Sequence, residues 1–152
     1  MKITFLGGGN MANALIGGML KQGFAATDIT VIDPGAEARG KLTETYAVNC
    51  LELAEMLDNA GDLLVLAVKP QFLHAVVTAL VSTVQTRHPL IISIAAGVRE
   101  PDLQRWLGGG LAIVRAMPNT PALVQSGATA LYANAHVTTE QRNRAESILR
   151  AV

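Results

Sequence analysis

The sequence predicts an α/β fold built on a doubly wound, mostly parallel sheet. Three observations carry that prediction. Short runs rich in β-branched and apolar residues alternate with longer stretches of helical periodicity along the whole chain. The first run leads straight into Gly7-Gly8-Gly9 and then into a helical stretch. The run from Leu63 to Val68 is continuously apolar, as a central parallel strand covered on both faces must be.

Taken in order, Lys2 to Leu6 is the first strand. Asn10 to Gln22 is the first helix, with Met11, Leu15, Met19 and Leu20 on one face and Gly23 as its stop. Ile29 to Ile32 is the second strand, ended by Asp33-Pro34-Gly35. Ala36 to Tyr46 is helical, a short strand lies near Ala47 to Asn49, and Leu51 to Asn59 is a small helix. Asp62 to Val68 is the central strand. Pro70 opens the next helix in its first turn and the periodicity carries it to about Thr86. Leu90 to Ala95 is a buried strand, and Pro101 starts a short helix that reaches Leu107 and stops at Gly108-Gly109-Gly110. Leu111 to Ala116 is a strand followed by the loop Met117-Pro118-Asn119-Thr120-Pro121, and Gly127 to Ala133 is one more. Thr138 to Val152 is an amphipathic helix capped by Thr138 or Thr139. No repeat or low-complexity linker divides the chain, so residues 1–152 are expected to form one domain. The chain stops at a helix where this architecture supplies another strand, and a further domain is expected to follow.

Composition narrows the function classes. Twelve Lys plus Arg balance 12 Asp plus Glu, without the basic excess of a nucleic-acid or anionic-membrane binder. Aromatics at 4% offer no stacking platform for single-stranded nucleic acid. Charged residues are 16% and hydrophobic residues 50%, against about 25% charged in an ordinary soluble domain. A surface so sparse in charge is expected to be covered, by a second subunit in a homo-oligomer or by a second domain. Gly7-Gly8-Gly9 ends the first apolar stretch too early for a signal peptide, and Lys69-Pro70 closes the Leu63 to Val68 run far short of a bilayer span. Cys50 is the single cysteine and His74, His88 and His136 are scattered, so neither a disulfide framework nor a metal site is expected. The cytoplasm is the expected compartment.

The chemistry lies in the loops that follow the strands. Gly7-Gly8-Gly9-Asn10-Met11-Ala12 matches G-x-G-x-x-A between a strand and a helix, the Rossmann-type fingerprint for a dinucleotide. Gly7 permits the tight turn, Gly9 admits a pyrophosphate to the backbone, and Ala12 lets helix and strand pack closely. The helix N-terminus then presents unpaired N–H groups to the phosphates. Asp33 ends the second strand, 26 positions after Gly7, where an acidic residue hydrogen-bonds the adenosine ribose. Two readings of Asp33 stand side by side: a ribose ligand favouring NAD over NADP, or a turn-forming Asp before Pro34-Gly35. Arg39 is close enough to serve a 2′-phosphate, although a solvated arginine on a helix face is the simpler expectation.

Ala67-Val68-Lys69-Pro70, Ala95-Ala96-Gly97 and Met117-Pro118-Asn119-Thr120-Pro121 also follow strands, so five stretches converge on the carboxyl edge where open parallel sheets bind ligands. Small residues at Ala95, Ala96 and Gly97 leave room for a flat ring, while Asn119 and Thr120 present amide and hydroxyl groups. Lys69 is either a partner for a phosphate or carboxylate, or a strand-end lysine in solvent. Cys50 and Trp106 are expected to pack, and neither a G-x-S-x-G elbow nor a phosphate-binding G-x-x-x-x-G-K-[ST] loop is present.

Phe5-Leu6-Gly7-Gly8-Gly9-Asn10-Met11-Ala12, Ala67-Val68-Lys69-Pro70-Gln71, Ala95-Ala96-Gly97 and Met117-Pro118-Asn119-Thr120-Pro121 together resemble pyrroline-5-carboxylate reductase, in that family's order and spacing over nearly the whole chain. The resemblance implies an oxidoreductase of proline biosynthesis that reduces the C=N bond of 1-pyrroline-5-carboxylate to L-proline, with NADP(H) or NAD(H) and no metal. It implies cofactor contacts at Gly7, Gly8, Gly9, Asn10, Met11, Ala12, Ala67, Val68, Lys69, Pro70, Ala95, Ala96 and Gly97, with Asn119 and Thr120 toward the substrate. It further implies an all-helical C-terminal domain that makes the dimer and most of the substrate pocket, so this stretch alone is expected to be inactive. The sequence departs from the family at Asp33-Pro34, where many members carry a small polar residue and then Arg. The alternatives are a related β-hydroxyacid or imine reductase, and a non-catalytic regulatory module that binds a dinucleotide.

Overall fold

The computed structural model describes residues 1–54, 60–118 and 129–152. Most of the expected Leu51 to Asn59 helix and the loop carrying Asn119, Thr120 and Pro121 therefore lie outside the described residues. Seven described strands form one sheet in the order β3-β2-β1-β4-β5-β6-β7. They are β1 (Ile3–Leu6), β2 (Ile29–Ile32), β3 (Asn49–Leu51), β4 (Leu63–Leu66), β5 (Leu90–Ser93), β6 (Ile113–Pro118) and β7 (Thr129–Ala133). The first six run parallel, and β7 pairs antiparallel with β6. The expected doubly wound, mostly parallel sheet is what the chain forms, with the reversal of strand order falling between β1 and β4.

Six described α-helices cover the two faces: α1 (Asn10–Lys21), α2 (Ala36–Tyr46), α3 (Pro70–Thr78), α4 (Val81–Arg87), α5 (Glu100–Leu107) and α6 (Thr139–Leu149). Alternate strand residues feed two cores, because successive side chains point to opposite faces. Ile3, Phe5, Leu63, Val65 and Ile92 pack with Leu15, Ile16 and Met19 of α1, Leu42 of α2 and Ile148 of α6. Leu6, Leu64, Leu66, Ile91 and Ile113 pack with Leu73, Val77, Val84, Leu103 and Leu107 of α3, α4 and α5. All four residues of β4 are fully buried, which explains its unbroken apolar run.

Several expected boundaries are corrected. The helix from Pro70 to Thr86 is two helices, separated at Ala79 and Leu80, where the Leu80 N–H donates to the Val77 carbonyl at 2.9 Å. Val77, Leu80 and Val84 are all buried, so the bend keeps one apolar row on the sheet. Leu51 belongs to β3 rather than to a helix, and the strand expected near Ala47 starts at Asn49 because Ala47 ends α2 in the left-handed conformation. Of the expected strand Gly127 to Ala133, Thr129–Ala133 is described. On α1, Ile16 is buried while Met11 and Leu20 are only partly so. The helix also carries a notch, since a Cβ on Gly18 would come 2.0 Å from the Ala151 carbonyl oxygen just beyond α6.

Candidate functional site

The strand ladders run on past β1, β2 and β4 and set their exits side by side. The Gly7 N–H donates to the Ile32 carbonyl at 2.8 Å, the Asp33 N–H to Leu51 at 2.9 Å and the Ala67 N–H to Leu6 at 2.8 Å. The chain leaves β1 at Gly7 with φ of 101°, and a Cβ there would lie 2.6 Å from the Ala67 carbonyl oxygen. Only glycine meets both conditions. At Gly9 a Cβ would find nothing within 4 Å, so the space above this residue is open.

Gly9 is the N-cap of α1, and no side chain caps that helix. Its first-turn N–H groups at Asn10, Met11 and Ala12 thus have no side-chain acceptor and carry the positive end of the helix dipole. Ala12 is buried against the sheet. An open glycine beneath an uncapped helix N-terminus fits the pyrophosphate of a dinucleotide.

Asp33 braces this loop. One carboxylate oxygen accepts from the Gly8 N–H at 2.9 Å and the other from the Gly35 N–H at 2.8 Å. The turn reading from the sequence is therefore satisfied, with a cross-link to the glycine loop in addition. Arg39 is not the freely solvated arginine expected: it is partly buried, and its Nη1 donates to the Asp33 backbone carbonyl at 2.9 Å.

A cavity of about 510 Å³ opens over these strand ends. Of the expected site residues, Gly7, Gly8, Gly9, Asp33, Ala67, Val68 and Lys69 line it. Pro70 opens α3 immediately after Lys69. Ala95, Ala96 and Gly97 follow β5 on the same edge of the sheet but do not line this cavity. Asn119 and Thr120 lie outside the described residues. The sequence reading missed the apolar arm of the cavity, which Leu53, Phe72 and Val76 help to form beside Glu52. Leu53 and Phe72 are 52% and 57% exposed, large apolar side chains left in water beside a cleft, and that exposure is visible only in the fold.

Known proteins match this arrangement. A family model described as NADP oxidoreductase, coenzyme F420-dependent, matches residues 2–97. The chain belongs to this family. A pyrroline-5-carboxylate reductase of Pseudomonas aeruginosa is 47% identical over 152 residues, covering 99% of this chain and 55% of that protein. The structure of a pyrroline-5-carboxylate reductase from Coxiella burnetii superposes with a TM-score of 0.96 at 40% identity, covering 99% of this chain and 56% of that one. A Plasmodium falciparum pyrroline carboxylate reductase with NADP bound gives a TM-score of 0.84 at 26% identity, covering 99% and 55%. The resemblance read from the motifs is borne out, and the chain spans about half the length of the relatives it matches.

Proposed function

We propose that this chain is the cofactor-binding part of a pyrroline-5-carboxylate reductase, which reduces the C=N bond of 1-pyrroline-5-carboxylate to give L-proline at the expense of NADPH or NADH. The observation that carries the reading is the junction of Gly7, Gly9 and the uncapped start of α1 at the reversal of strand order. Likeness to named reductases over the whole of the chain supports the choice of substrate.

In this reading Gly7, Gly8, Gly9, Asn10, Met11 and Ala12 hold the pyrophosphate, and Asp33 faces the adenosine ribose. Leu53, Phe72 and Val76 enclose the adenine. Lys69 balances phosphate charge from the end of β4, while Ala67, Val68 and Pro70 form the wall beside it. Ala95, Ala96 and Gly97 leave space further along the edge for the nicotinamide ring, and Asn119 and Thr120 stand toward the substrate. A reduced nicotinamide supplies a hydride for the imine carbon, and the protein's part is to hold the two in register and keep water away. Residues 1–152 act as the dinucleotide-binding domain, and a following helical domain completes the substrate pocket and the homo-oligomer in the cytoplasm. No helix among the described residues is long and apolar enough to cross a membrane.

The test is a fluorescence titration of this chain with NADPH and NADH, followed by a turnover assay with 1-pyrroline-5-carboxylate. Saturable binding without turnover is expected here, and turnover is expected once the chain is joined to the second half of a relative. Failure of the folded chain to bind either nucleotide would remove the basis of the reading.

A further inference from the structure

We infer that Asp33 selects NADH over NADPH, and that it does so because its carboxylate is fixed as a part of the glycine loop. The inference rests on the dinucleotide reading of the cleft. Each polar atom of Asp33 makes at least one hydrogen bond. Its N–H donates to Leu51, its carbonyl accepts from Arg39, and its two carboxylate oxygens accept from Gly8 and Gly35. The side chain cannot turn away from an incoming group without giving up two charge-assisted bonds from backbone N–H groups.

The two cofactors meet this fixed carboxylate differently. A ribose 2′-hydroxyl donates a hydrogen bond, and each carboxylate oxygen keeps a further acceptor site for it. A 2′-phosphate has only acceptors at neutral pH and brings like charge into contact with the carboxylate. Arg39, the nearest counter-ion a 2′-phosphate could use, already gives its Nη1 to the Asp33 carbonyl, so drawing it to a phosphate would disturb that bond. The other charged side chains lining the cavity do not alter this balance. Glu52 adds a second negative group beside Asp33, and Lys69 follows β4, on the far side of β1 from β2.

The experiment compares the 152-residue chain with Asp33→Asn, each titrated with NADH and with NADPH. The near-isosteric amide keeps an acceptor for one backbone N–H and removes the charge. The wild-type chain is expected to bind NADH about tenfold or more tightly than NADPH, the scale of one close like-charge contact near a surface. In Asp33→Asn the ratio is expected to fall toward one, chiefly through tighter NADPH. A role confined to bracing the loop would weaken both nucleotides by the same factor, and an unchanged ratio would overturn the inference. So would tighter NADPH in the wild-type chain, a result that leaves the dinucleotide site itself standing. Competition by 5′-AMP and 2′,5′-ADP on the wild-type chain needs no variant, and better competition by 2′,5′-ADP would likewise overturn it. Binding of none of these ligands by a chain that keeps its folded circular dichroism would overturn the dinucleotide reading and the inference together.

Discussion

Gly7 and Gly9 stand two residues apart and are glycine for different reasons. At Gly7 the backbone has φ of 101° and a Cβ would strike the Ala67 carbonyl. Gly7→Ala is therefore expected to lower folding stability by about 1–3 kcal/mol, the cost of a strained left-handed residue, before the collision is counted. At Gly9 the backbone is extended, with φ of −76°, and a Cβ would meet no protein atom within 4 Å. Gly9→Ala is expected to leave stability within about 0.5 kcal/mol of wild type. It should nevertheless weaken dinucleotide binding, since the methyl group fills the space a phosphate would use. Urea unfolding and nucleotide titration of the two variants check the contrast. Equal stability losses would mean the loop is built by folding needs alone.

At the level of elements, what could be read from the sequence depended on whether a local signal existed. β2 and α2 were expected at the limits they have, because Asp33-Pro34-Gly35 separates them and no other arrangement suits both patterns. The division of α3 from α4 was illegible. No Gly or Pro lies between Gln71 and His88, and the bend is set by burying Leu80 against a twisted sheet rather than by a breaker. The brace between Asp33 and Gly8 was equally hidden, since the two residues lie 25 positions apart and meet only through the pairing of β1 with β2. The cap of α6, by contrast, was narrowed to two threonines and is resolved in favour of Thr138. Its Oγ1 accepts from the Gln141 N–H at 3.1 Å, while the Gln141 side chain accepts from the Thr138 N–H at 2.9 Å. Thr138→Ala is expected to cost about 1 kcal/mol, read as a lower urea midpoint at constant m-value.

For the molecule as a whole, the cleft is made from the exits of four adjacent strands, and a ligand seated there bonds to the folded chain alone. Melting with NADH at about 100 times its dissociation constant is expected to show a stabilisation of about 2.7 kcal/mol. For a protein of this size that raises Tm by about 5–10 °C. A melt unmoved by saturating ligand would show that binding and folding of this sheet are not linked.

The notch at Gly18 gives the same molecule an order of assembly. The helix that starts at the glycine loop leaves a ribosome long before α6 does. Yet its middle is filled by Ala151, and its apolar side is closed by Ala145, Ile148 and Leu149. A nascent chain can thus carry every residue that lines the cleft and still lack the surface that holds α1 against the sheet. Truncation after Val137 removes no lining residue but is expected to abolish nucleotide binding, which a titration of the shortened chain would show. Nucleotide capture then marks completed synthesis of this stretch, and a chain released early carries the whole fingerprint without its use.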